Sequence, residues 1–254
     1  MKKKWEYYNT DIENIEKISQ KFKISKLLST ILVNRQITDE KEIEIFLNPT
    51  RNNFHNPFLM PDIEKGVGRI LKAIENKEKV IIYGDYDVDG ITSTTVLKSF
   101  LEEQNLEVSK YIPNRLDEGY GLNKEAVEQI AKEGYTLMIT VDCGISGIEE
   151  VDYAKTLGLE VIITDHHEPL DILPDAVAVI DAKRKDSKYP FNQLAGVGVV
   201  FKLIQALAIK LNLDEKEALK YLDLVCVGTI ADIVPLVDEN RVIAKLRIKI
   251  SRSN

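Results

Sequence analysis

From residue 62 onward, short runs rich in β-branched residues alternate with longer segments whose apolar residues recur at helical spacing. The runs cover residues 79–83, 107–112, 136–141, 160–164 and 176–181, and helix-like segments cover 63–75, 91–104, 124–132 and 147–157. Strand and helix in regular alternation predict βαβ units and a mostly parallel sheet. The strands Val80-Ile81-Ile82-Tyr83 and Val161-Ile162-Ile163-Thr164 show no polar alternation, so both faces of that sheet are covered. The expected fold class is therefore α/β, a doubly wound, mostly parallel sheet with helices on both faces, preceded by a small helical segment.

After residue 181 the rhythm stops. Residues 194–211 and 213–227 read as helices, the second opened by Asp214 with Glu217 three residues on, a capping box. Upstream, residues 11–35 read as one helix, and a second starts at Thr38, whose hydroxyl is placed to cap a first turn carrying Asp39, Glu40 and Glu42. Residues 48–61 hold Pro49, Pro57 and Pro61 and read as an extended connector. The expected boundary between prelude and main domain therefore falls at residue 61.

Composition narrows the class. Of 254 residues, 44% are hydrophobic and 30% charged, with 13 Gly and 8 Pro, which excludes a disordered or fibrous chain. Neither a membrane-spanning run nor an apolar stretch behind Met1-Lys2-Lys3-Lys4 is present, so a cytoplasmic location is expected. Cys143 and Cys226 suit reduced, buried thiols. A net charge of −7 argues against a chain that grips nucleic acid with its whole surface.

Ligands of open α/β sheets bind beyond the carboxyl ends of the strands, so the residues there carry the functional signal. The first strand leads into Gly84-Asp85-Tyr86-Asp87-Val88-Asp89-Gly90, and the second into Pro113-Asn114-Arg115, with Glu118-Gly119-Tyr120-Gly121 shortly after. The third leads into Asp142-Cys143-Gly144, the fourth into Asp165-His166-His167, and the fifth into Asp181. Crowded carboxylates repel unless cations neutralise them. Carboxylate oxygens with imidazole and no thiolate favour Mn²⁺ or Mg²⁺, and the number of acids points to two ions. A calcium loop of the EF-hand kind lacks its closing glutamate. His55, in the connector, reads as structural, Cys143 as packing, and Arg115, among acids, as a phosphate clamp. Ala195-Gly196-Val197-Gly198 lacks both the third glycine and the preceding strand of a dinucleotide fingerprint.

The motifs around Asp87, Asp142 and Asp165-His166-His167, with Phe46-Leu47-Asn48-Pro49, Glu118-Gly119-Tyr120-Gly121, Leu194-Ala195-Gly196-Val197-Gly198 and Ala231-Asp232-Ile233-Val234-Pro235, resemble the DHH phosphoesterase superfamily. Within it the resemblance is to the single-stranded-DNA-specific 5′-to-3′ exonucleases and runs over roughly residues 40–245. It implies two metal ions, Mn²⁺ with Mg²⁺ as alternative. Asp87, Asp89, Asp142, His166 and Asp232 match ligands, Asp142 as the bridge, and Asp85 orients the first-motif loop. His167 would touch the scissile phosphate, with Asn114 and Arg115 as further phosphate contacts. Many relatives carry a histidine where this chain has Tyr83.

The resemblance further implies release of 5′-mononucleotides in DNA repair and recombination. Single-stranded DNA, single-strand-binding protein and recombination helicases are the implied partners. Such exonucleases are longer, so residues 241–254, with Arg241, Lys245, Arg247, Lys249 and Arg252, are expected to begin an interdomain helix cut short, with activity impaired. The rival readings are a DHH-type oligonucleotide or cyclic-dinucleotide phosphodiesterase and a catalytically silent nucleic-acid-binding subunit.

Overall fold

Helix α1 (Ile12–Phe22) is capped by Asp11, whose carboxylate accepts the Asn14 N–H, and it ends where Lys23 turns left-handed at φ 52°. Ser25 then caps α2 (Lys26–Asn34), so the single helix expected over residues 11–35 is two. The cap of α3 (Glu40–Leu47) is Asp39, not Thr38, because its carboxylate reaches the Lys41 and Glu42 N–H groups. Ile15, Ile18, Leu32, Ile43 and Phe46 are the buried apolar residues of these helices.

This computed structural model describes residues 11–114, 119 and 121–250. Contacts divide the chain between Asn53 and Phe54 rather than at residue 61. Residues 54–61 of the connector belong to the second unit, where Phe54, Phe58 and Met60 pack into its core. The connector is also not extended throughout, since Arg51–Asn53 and Pro57–Leu59 form 3₁₀ turns.

The second unit is built on β1 (Lys79–Gly84), β2 (Glu107–Tyr111), β3 (Leu137–Val141), β4 (Glu160–Thr164) and β5 (Ala178–Ile180), all parallel, in the order β2-β1-β3-β4-β5. Side chains alternate between two cores. Val80, Ile82, Leu137, Ile139, Ile162 and Ile180 face a layer of α4 (Ile63–Asn76), α5 (Val88–Glu103), α8 (Gly196–Lys210), α10 (Leu222–Ala231) and α11 (Asp238–Ile250). Ile81, Tyr83, Met138, Val161 and Ile163 face α6 (Lys124–Lys132) and α7 (Ile148–Thr156). Burying each such side chain contributes roughly 1.5–3 kcal/mol, which is why the strands are apolar on both faces.

The helix expected over residues 213–227 is broken. Asp214 accepts the Lys216 N–H, but α9 spans only Lys216–Leu219 before α10 starts at Leu222. Among the described residues, no helix is long and apolar enough to cross a membrane.

Helix α8 is apolar on almost every side and lies against α4, α5, α9 and α10. Its one buried charge, Lys202, donates to Glu239 Oε1 at 2.8 Å and to the His55 carbonyl at 2.7 Å. Glu239 also accepts the His55 N–H and the Tyr189 hydroxyl. A buried ion pair survives only when its remaining hydrogen bonds are filled, as they are here. His55 thus has the structural place its position in the connector suggests.

The chain leaves β1, crosses α5 to β2 on one side, and returns through α6 to β3 on the other. Such a reversal of strand order opens a crevice at the carboxyl ends of β1 and β3.

Candidate metal centre

The loop after β1 is shorter than the sequence pattern suggests. Helix α5 starts at Val88, not Ile91, because the Asp87 side chain accepts the Gly90 N–H at 2.9 Å and caps it. Asp89 therefore stands inside the first turn, buried, rather than in a loop. Its two oxygens accept the Gly196 N–H at 2.6 Å and the Val197 N–H at 2.8 Å, so the acid of one helix caps the N-terminus of another. The partial positive charge of α8 offsets some of the crowding of acids beside it.

Asp142 follows β3 at φ 60°, a left-handed conformation that aspartate tolerates better than most residues. Its N–H donates to the Thr164 carbonyl at 3.0 Å. Its Oδ1 lies 3.0 Å from His166 Nε2. His166 Nε2 is 3.8 Å from Asp89, and its Nδ1 is 3.8 Å from Asp232. Asp165, wholly buried, accepts the N–H groups of Ile145, His166 and His167 and the His167 Nδ1–H at 2.8 Å.

Three groups of ligand atoms result, each confined within 4.8 Å: Asp85, Asp87 and Asp142; Asp89, His166 and Asp232; and Asp142, His166 and His167. Asp142 and His166 each belong to two of them. The floor is buried, whereas Asp87 and His167 are exposed and Asp232 half-buried, so the cluster opens to solvent on one side. Asp85, assigned on sequence to orienting its loop, stands among the potential ligands. Asn114 is exposed after β2, next to β1 in the sheet, and outside the three groups; Arg115, Glu118 and Tyr120 lie outside the described residues. Asp181 is buried at the end of β5, pushed up to about 7 by burial, and is likewise not in these groups.

The electrostatics are those of a cation site. Burial, then the charges of Asp89 and Asp87, push Asp142 up to about 10. Burial also pushes Asp89 up to about 6. A hydrogen bond to Asp165 raises His167 to about 9, which makes it an imidazolium at neutral pH. Burial opposes ionisation of Asp165, but the bond from His167 wins and holds it below the usual carboxylate range. Burial raises the Cys143 thiol well above its ordinary value, so it is an inert packing group. Oxygen and imidazole donors with no thiolate fit Mn²⁺ or Mg²⁺.

Two glycines, Gly196 and Gly228, let helices come close to the acids. A Cβ on Gly196 would lie 2.7 Å from Asp142 Oδ1, and one on Gly228 would lie 2.3 Å from Thr92 Oγ1 and 3.1 Å from Asp89 Oδ1. Helices α8 and α10 approach the acids this closely only because no side chain intervenes.

Tyr83 does not replace the histidine of relatives. Its ring lies in the core beneath α6 and α7, stacked on Tyr111 at 5.1 Å, and its hydroxyl donates to the Gly121 carbonyl at 3.0 Å. Tyr83→Phe is expected to lower stability by about 1 kcal/mol, read by thermal melting, and to leave Mn²⁺ affinity unchanged.

A doubly wound sheet whose switch point gathers acids and an Asp-His-His triplet has the form of a DHH-type domain. Residues 79–229 match the DHH family, N-terminal domain, and the chain belongs to that family. It is 44% identical over its full 254 residues to the single-stranded-DNA-specific exonuclease RecJ of Bacillus subtilis, of which it covers 32%. It is 42% identical over 193 residues to RecJ of Escherichia coli, covering 71% of this chain and 33% of that one. A crystal structure of exonuclease RecJ bound to manganese superposes with a TM-score of 0.67 at 37% identity, over 73% of this chain and 47% of that one. RecJ of Thermus thermophilus in complex with Mn²⁺ superposes with a TM-score of 0.73 at 28% identity, over 92% of this chain and 33% of that one. The chain thus spans about a third of the length of the curated relatives it matches.

Proposed function

We propose that this chain carries the metal-dependent phosphodiesterase centre of an exonuclease that degrades single-stranded DNA 5′ to 3′ into 5′-mononucleotides, in DNA repair and recombination. The observation that carries this reading is the set of three overlapping ligand groups, all acid and imidazole, at the switch point. The likeness to RecJ supplies the substrate class, and the manganese in those relatives supports Mn²⁺, with Mg²⁺ as alternative.

Asp85, Asp87 and Asp142 would hold one ion and Asp89, His166 and Asp232 the other, with Asp142 and His166 joining the two groups. Bound divalent ions supply an acidified water at neutral pH and positive charge against the phosphate oxygens. Asp165 fixes the ring of His167 through Nδ1, so that the Nε2–H of the imidazolium donates to a non-bridging phosphate oxygen as charge builds there. Asn114 and Arg115, which the family resemblance assigns to the substrate phosphate, would add further contacts to it. Exposure of Asp87 and His167 leaves the cluster open to a strand end.

The test is incubation of the purified chain with Mn²⁺ and a 5′-phosphorylated single strand, alongside a dinucleotide and a cyclic dinucleotide. Release of 5′-mononucleotides from the long strand is expected. His167→Gln should lower kcat by about 100-fold while Mn²⁺ affinity stays within a few-fold. Cleavage of the short substrates alone, or no metal-dependent cleavage, would overturn the reading.

A further inference from the structure

The turn that sets Asp142 in its left-handed conformation is tied down by a neighbouring hydroxyl. The hydroxyl of Thr140, two residues earlier at the end of β3 and wholly buried, donates to the Cys143 carbonyl at 2.8 Å. That bond closes the turn in which Asp142 has φ 60° and Gly144 φ 106°. A Cβ on Gly144 would lie 2.7 Å from the same hydroxyl oxygen, so the glycine is needed for the turn to pack against Thr140. From the neighbouring strand, the Thr164 hydroxyl donates to the Thr140 carbonyl at 2.7 Å, while the Asp142 N–H donates to the Thr164 carbonyl at 3.0 Å. The residue after Thr164 is Asp165, which accepts the His166 and His167 N–H groups.

We infer that Thr140 is a positioning residue for the metal centre: its hydroxyl latches the Asp142 turn so that this carboxylate stands in both ligand groups at once. Left-handed non-glycine residues persist only where the surroundings over-determine them. Without the hydroxyl, the 142–143 peptide can relax toward ordinary β geometry, and Asp142 then turns away from His166. Groups that orient a ligand without touching the ion typically change metal affinity by 10- to 100-fold. The inference rests on the proposed metal centre.

The test is titration of Mn²⁺ into the purified chain, with free ion read by its electron paramagnetic resonance signal, and melting of the metal-free protein in parallel. Thr140→Val keeps the shape and removes the donor; Mn²⁺ should bind roughly 10- to 100-fold more weakly. Thr140→Ser keeps the donor and should stay within about threefold of the unaltered protein, since orientation rather than bulk sets affinity. If Thr140→Val does not fold, Thr140→Ala gives the same reading. Unchanged affinity in the folded Val or Ala variant, with only a lower melting temperature, would overturn the inference, as would equal weakening by Ser and Val. Failure of the unaltered chain to bind Mn²⁺ would instead count against the metal centre.

Discussion

Asp142→Asn is expected to make the metal-free protein more stable and to remove its stabilisation by Mn²⁺. An aspartate gives up its proton near 3.8 in the unfolded chain, whereas Asp142 in the fold is pushed up to about 10 and Asp89 to about 6 by burial and neighbouring acids. Between those values the folded state holds more protons than the unfolded one. Metal-free stability therefore falls as pH rises, at about 1.4 kcal/mol per pH unit for each proton retained. The penalty is absent below about 4 and grows until Asp142 itself ionises. His167 adds to the trend. Its raised value of about 9 means that its bond to Asp165 stabilises fully below 6.5 and is lost as pH climbs through 9.

Asparagine keeps the shape of Asp142 and cannot ionise. Its melting temperature at pH 8 should exceed that of the unaltered chain by roughly 5 °C or more, and the difference should vanish near pH 4. Mn²⁺ should raise the melting temperature of the unaltered chain steeply, because divalent charge replaces the retained protons, and should leave the variant nearly unmoved. A variant less stable than its parent at pH 8, or equally stabilised by Mn²⁺, would contradict the account. The gain in stability accompanies loss of activity, as expected where a functional site stores unfavourable charge.

Gly196→Ala is expected to damage the same centre without replacing any charged residue. Its Cβ would lie 2.7, 2.8 and 2.9 Å from Oδ1, Cβ and Cγ of Asp142, and the same residue donates its N–H to Asp89. Either Asp142 moves or α8 withdraws, and withdrawal loosens Asp89. Overpacking of this kind costs about 1–3 kcal/mol. Mn²⁺ affinity should fall at least roughly tenfold, since two acids shift together. Gly68→Ala is the control: it lies exposed inside α4, where a Cβ meets nothing within 4 Å. It should stabilise by about 0.5–1 kcal/mol and leave Mn²⁺ binding alone. Similar Mn²⁺ affinity for the two variants in calorimetric titration would show that the close approach of α8 is not what positions the acids.

The sheet was readable from sequence because its signals are local. Strands β1, β3 and β4 are apolar on both faces and each is followed at once by its acids, so strand and chemistry share one short segment, whereas β2 (Glu107–Tyr111) buries only Val108 and leads into no acid. The start of α5 was not readable in this way. Asp87-Val88-Asp89-Gly90 has the composition of a loop, and only the cap on Asp87 shows that a helix has begun. The junction between α1 and α2 was hidden because Lys23 bends left-handed inside an unbroken amphipathic pattern. Contacts across long separations were invisible: Asp89 and Gly196 stand 107 residues apart, and nothing near either one announces the other. The roles of Gly196 and Gly228 are therefore matters of packing. Tyr83, the departure from the family pattern noted in the sequence, is settled only by the fold, which sets its ring in the core.

Direct titration of Mn²⁺ into the chain, by calorimetry with the free ion followed by electron paramagnetic resonance, tests the centre itself. Two ions should bind per chain in the unaltered protein, and saturable binding should be lost in Asp142→Asn. A titration with no saturable binding, or one whose stoichiometry is indifferent to Asp142, would contradict the assignment of this sheet edge as a two-ion centre.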